Sequence, residues 1–144
     1  MRECRLLAQL NHHLIADVYD FGVTADCHWL AMEYFPCGSL KARLQHPLTE
    51  AEAVAYANRI GVALQQIHEA GIVHRDLTPG NIMLRADDSL ALIDFGLAHM
   101  RDFGEAEDDV IVGTFHYMSP EQSGMIRRTV DERCDLYSLG IIFY

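Results

Sequence analysis

No stretch of this chain comes near the roughly eighteen consecutive apolar residues that a membrane-crossing helix requires, so nothing in it reads as a bilayer span. Basic charge is scarce: the formal net charge is −10, and the only adjacent basic pair, Arg127-Arg128, is too small to draw a phosphate backbone or an anionic lipid surface. Nucleic acid and membranes are therefore excluded as expected partners. The cysteines, Cys4, Cys27, Cys37 and Cys134, form no CxxC pair and no zinc-like spacing, and the first residues carry no signal-like apolar core. A reducing cytoplasm is the expected setting. Among the histidines only His12 and His13 adjoin, and not at the offset of four that puts two metal ligands on one helical face. What the chain does have is apolar content: half its 144 residues are hydrophobic and 22% are charged, enough for one domain with a real core.

Its order is mixed. Residues 2–10 place Leu6, Leu7 and Leu10 on one stripe of an expected helix, and "LIADVYDFGV" and "HWLAMEY" around "TAD" read as an antiparallel hairpin between Leu14 and Phe35. Pro36 and Gly38 break the strand, and a short helical run is expected at Ser39–Gln45. Thr49-Glu50-Ala51-Glu52 matches a capping box, and Ala53, Ala57, Ile60, Leu64 and Ile67 form a stripe behind it that ends at Gly71, a suitable left-handed cap. The apolar pair Ile72-Val73, the run Ile82–Leu84 and the run "LALI" at 90–93 read as strands, the last two joined through "ADDS". Residues 94–121 read as a long loop, a length that usually serves function, and a helix resumes at Cys134.

Between the apolar runs lies "HRDLTPGNIML", His74–Leu84. An Asp five residues before an Asn suits phosphoryl transfer, in which a carboxylate receives the attacking hydroxyl's proton and a second oxygen donor helps hold magnesium on the phosphates. Asp76 and Asn81 fit those tasks, and "IDFG" supplies a further carboxylate, Asp94, at the end of a strand.

"HRD" at 74–76 with Asn81, "DFG" at 94–96 and "GTFHYMSPEQ" at 113–122 together resemble the catalytic loop, metal loop and substrate-docking segment of eukaryotic-type protein serine/threonine kinases; the last resembles bacterial members in its wording. The resemblance covers essentially the whole chain. It implies an α+β, two-lobe fold that is incomplete here: residues 1–35 as C-helix, part of the small-lobe sheet and hinge, and 36–144 as part of the helical large lobe. It implies ATP and Mg2+ as cofactors, a protein substrate with Ser or Thr, Asp76 as base beside Arg75 and Thr78, and Asn81 and Asp94 as metal ligands. Met32, Glu33, Phe35 and Met83 would line the adenine site, and Glu3 would pair with the ATP-binding lysine. Thr114 and Glu121 would belong to the substrate loop, while His74, Phe95 and Asp135 would be structural, with Leu7 and Val18 above the His74–Phe95 stack.

Five features depart from that pattern. Thr78 stands where the family carries Lys, offering a hydroxyl in place of an ammonium near the transferring phosphoryl group, so slower transfer is expected. His13 stands where the family often has Pro, and Ser119 replaces an Ala. The glycine-rich phosphate loop and strand lysine are expected outside residues 1–144, in missing kinase-domain segments or with fused domains in a longer protein; this chain alone is expected to be weak or inactive. Leu97–Val112 contains no Ser, Thr or Tyr, and Glu105, Glu107, Asp108 or Asp109 is a candidate permanent anion for Arg75. The alternatives are a non-catalytic pseudokinase or interaction fragment and a small-molecule phosphotransferase, which lacks a segment like "GTFHYMSPEQ".

Overall fold

A computed structural model describes residues 13–24, 27–87, 89–94 and 115–144. The helix expected over 2–10, with Glu3 and Leu7, lies outside these residues, as do Phe95, Thr114 and the acidic stretch 105–109.

Strands β1 (Val18–Val23) and β2 (His28–Met32) pair antiparallel, Val18 opposite Met32 and Gly22 opposite Trp29. Gly22 leaves room for the Trp29 ring: a Cβ there would lie 2.6 Å from it, so a side chain would displace the indole. A second antiparallel pair follows, β3 (Ile82–Leu84) with β4 (Leu90–Leu92). The hairpin expected from Leu14 begins four residues later than that. Residues 14–16 instead run parallel to β4, Leu92 N–H donating to Leu14 O at 3.0 Å and Ala16 N–H to Leu92 O at 3.1 Å. This seam joins the first hairpin to the second.

Helix α1 is confined to Leu40–Arg43. The residues after it tighten into three-residue turns, Gln45 N–H to Ala42 O and His46 N–H to Arg43 O, so the expected run to Gln45 stops short as an α-helix. Helix α2 (Glu50–Glu69) starts on the expected capping box: Thr49 Oγ1 accepts from Glu52 N–H, and Glu52 Oε2 accepts from Thr49 N–H. It ends with Gly71 at φ 75°, Ile72 N–H reaching Ile67 O and Gly71 N–H reaching His68 O, a paired closure that only a left-handed residue allows. That closure corrects one reading: Ile72-Val73 is no strand, because the Ile72 amide belongs to the helix end.

Ile60, Ala63, Leu64 and Ile67 of α2 bury against Leu14, Ile15, Leu40, Leu77, Ile82, Leu84, Leu90 and Leu92, a core that gathers the β3–β4 pair, the chain entering β1, the start of α1 and the loop at 77. Helix α3 (Arg133–Ile142) packs on α2 and buries Cys134, Asp135 and Ser138. Burying two polar residues on an inner helix face is costly without partners. The partners of Asp135 lie at the end of α2 and in the loop that follows it, and those of Ser138 are the carbonyls of Tyr117 and Cys134.

Candidate active site

Asp135 has no exposed surface, and its carboxylate accepts three hydrogen bonds at 2.8 Å: from His74 N–H, from Arg75 N–H and from the His68 ring Nε2. The first turn of α3 thereby pins the chain leaving α2. Arg75 sits at φ 65°, a conformation that costs a non-glycine residue about 1–2 kcal/mol. It is held from both sides, its N–H by Asp135 and its carbonyl by Gln122 Nε2 at 2.6 Å. Gln122 in turn accepts from the backbone N–H and hydroxyl of buried Ser119, so the segment around Pro120 is tied to the 74–76 loop. Ser138 adds a bond to Tyr117 O at 2.7 Å.

The buried His74 ring accepts from Asp76 N–H at Nδ1 and donates from Nε2 to Ile93 O at 3.0 Å, which fixes a neutral tautomer. Burial pushes its pKa below the ordinary value, with Asp135 opposing weakly. Ile93 N–H donates to Asn81 O, so one residue of the β4 exit binds both ends of the loop. The next residue is Asp94, exposed and at φ 58°, a left-handed position that Asp tolerates better than most.

Between these fixtures the loop brings Asp76 and Asn81 together. Leu77 anchors in the core, Pro79 starts a one-turn 3-10 helix at Pro79–Asn81, and the turn aims Asn81 back at Asp76. Asn81 Nδ2 donates to Asp76 O at 2.8 Å and to Asp76 Oδ2 at 3.3 Å. Thr78 is extended and half-buried, and its side chain does not cap that turn.

On the other side of β3 a small apolar cluster gathers Ala16, Phe35 and Ala91 with Met32, Met83 and Ile93. Met83 pairs with Ala91 and bridges Ser39, while Met32 lies across from Val18. Glu33 follows Met32, and both its carboxylate oxygens are taken by Arg85 at 2.6 Å. That fork holds the Glu33 carboxyl below its ordinary pKa and raises the Arg85 guanidinium. Glu121 is half-buried. Sequence reasoning passed over Arg85, Gln122 and His68: each acts on a residue 47 or more positions away, and no local pattern marks such pairs.

The arrangement holds a carboxylate and an amide together near a second, exposed carboxylate, with an apolar cluster on the other side of β3. A family model for the protein kinase domain matches residues 1–144. The chain is 38% identical over 148 residues to the serine/threonine-protein kinase Pkn1 of Myxococcus xanthus, an alignment taking in 99% of this chain and 21% of that protein. It is 36% identical over 146 residues to a probable serine/threonine-protein kinase of Clostridium acetobutylicum, with 99% and 22% covered. With PknB of Mycobacterium tuberculosis the identity is 35% over 152 residues, covering 99% and 24%. The chain thus spans about a fifth to a quarter of the length of these relatives. The match along its full length, with mixed helices and two small antiparallel sheets among the described residues, places this chain in the protein kinase domain family.

Proposed function

We propose that this chain carries catalytic residues of a protein serine/threonine kinase, which transfers the terminal phosphoryl group of ATP to a Ser or Thr hydroxyl of a protein. The observation that carries the reading is the Asp76–Asn81 pair, held by hydrogen bonds on a loop whose backbone is fastened by Asp135 and Gln122. A base must stand within hydrogen-bond reach of the proton it takes, and a loop fixed on both sides keeps it there.

The residues present fit the groups this reaction needs. Magnesium prefers hard oxygen donors and usually takes only one or two protein carboxylates, the rest coming from water and phosphates. Asn81 spends its Nδ2 on Asp76, which leaves the amide oxygen to serve a metal, and exposed Asp94 supplies the carboxylate. The apolar surfaces of Met32, Met83 and Ile93 suit the flat faces of an adenine ring. Bound ATP supplies the phosphoryl group, and magnesium neutralises its charge.

Asp76 Oδ receives the hydroxyl proton as the substrate oxygen attacks, and Asn81 Nδ2 keeps that carboxylate turned toward it. Arg75 and Gln122 couple the base to the segment where a peptide would dock. Thr78 contributes a hydroxyl where an ammonium would assist, which slows transfer without removing the base. The phosphate-covering loop and the lysine partner of Glu3 belong to a longer polypeptide in this reading, with residues 1–35 as small-lobe remainder and hinge and 36–144 as part of the large lobe. A reducing cytoplasm is the proposed setting.

Magnesium dependence tests the reading. In the native protein, ATP binding should strengthen with added magnesium, and Asp94→Asn should remove that dependence. Binding whose response to magnesium is the same in Asp94→Asn would contradict the assignment.

A further inference from the structure

One guanidinium joins four separate pieces of chain. Arg85 is the residue directly after β3; its Nε and one terminal nitrogen grip both oxygens of Glu33 at 2.6 Å. Its other terminal nitrogen donates to His13 O and to Leu90 O, the latter at 3.2 Å. The guanidinium carbon lies 5.5 Å from the Phe35 ring centre, over its face. Asp17 and Asp87 add to the negative field around it, and Glu33 N–H is itself bonded to Asp17 O.

The two ends of this clamp flank the apolar cluster. Glu33 directly follows Met32, and Arg85 stands two residues after Met83, so the fork ties the chain just after Met32 to the chain just after Met83, and both methionines pack on the same cluster. The pair is about four-fifths buried at both ends. A two-bond fork between planar groups fixes orientation as well as distance, which a lysine cannot reproduce. The Arg85 end is anchored on Leu90 O and His13 O and the Glu33 end on Asp17 O, so the fork fixes the distance between two held strand ends.

We propose that Arg85 is a positioning residue for the nucleotide: by gripping Glu33 it sets the separation of Met32 from Met83, and with it the width of the slot that takes the adenine ring. The inference rests on the kinase reading above. The Glu33 carboxylate is spent on this grip and makes no contact with the base.

The test is steady-state kinetics of the native protein with ATP as the varied substrate, together with melting temperatures. Arg85→Ala should raise KM for ATP about tenfold and change kcat by no more than about twofold. Arg85→Lys should fall between wild type and Arg85→Ala. Glu33→Ala should match Arg85→Ala, and the double variant should be no worse than either single one. An unmoved KM overturns the proposal, as do additive effects in the double variant. A loss of kcat that simply follows a lowered melting temperature also overturns it, since that marks general stabilisation. If wild type turns over ATP and the variants show no shift, the clamp alone fails; if folded wild type neither binds nor uses ATP, the kinase reading itself fails.

Discussion

Replacing Asp135 with alanine should free the His74–Asp76 loop before it unfolds the domain. The carboxylate is fully buried and accepts from two backbone amides and one imidazole, each at 2.8 Å. A hydrogen bond to a charged group contributes about 1.5–3 kcal/mol, but these three share one carboxylate whose own burial is costly, so they do not add. The net loss should resemble that of removing one member of a buried ionic pair, about 3–5 kcal/mol, a large part of a typical domain's stability. The His68 side chain keeps some exposure, whereas His74 has none. Asp135→Asn should lose about half as much, because one oxygen remains to accept while an N–H faces the other amide. Native-state hydrogen exchange resolves this by residue: a 3 kcal/mol loss speeds exchange at the His74 and Arg75 amides by about a hundredfold. The reasoning is refuted if both amides keep wild-type protection and urea unfolding shifts by less than about 1 kcal/mol.

Two further outcomes follow from buried groups. The His74 pKa is depressed in the folded chain by burial, from an ordinary 6.5, so the unfolded chain takes up that proton first as pH falls. Its contribution to stability is complete above about pH 6.5 and is lost progressively below, and His74→Gln should flatten the stability curve below about pH 6.5; an unchanged slope in the variant would refute the buried neutral ring. Burial pushes the Cys134 thiol up to about 12, with Asp135 adding to the effect. Iodoacetamide at pH 8 should therefore label exposed Cys27 and Cys37 in the native protein and spare Cys134 until urea is added, and equal labelling rates at Cys134 and Cys37 would contradict this placement.

Local signals were legible and distant ones were not. Both ends of α2 could be read because Thr49, Glu52 and Gly71 act within a turn of themselves, and Ile60, Leu64 and Ile67 repeat at the helical period. The β3–β4 pair was legible through its short turn and apolar runs. Ile72-Val73 misled because two β-branched residues favour a strand, while the Gly71 closure had already claimed the Ile72 amide. The motif residues Asp76, Asn81 and Asp94 stood out by spacing, but the partners that hold the loop did not. Gln122 serves Arg75 from 47 positions away and Arg85 serves Glu33 from 52, contacts set by the packing of whole elements. Ser119 shows in the sequence only as a replaced Ala, yet its hydroxyl bonds to Gln122 within that tie.

The account turns on Asp76 as the base for transfer to a protein hydroxyl. The most direct measurement is transfer of labelled terminal phosphate from ATP by the native protein and by its Asp76→Asn variant, with phosphoamino-acid identification of the product. Wild type should label Ser and Thr, and the variant should be slower by about 10²–10⁴, the range expected for a lost general base. Equal rates in the two proteins, or label appearing only on a small-molecule acceptor, would contradict it.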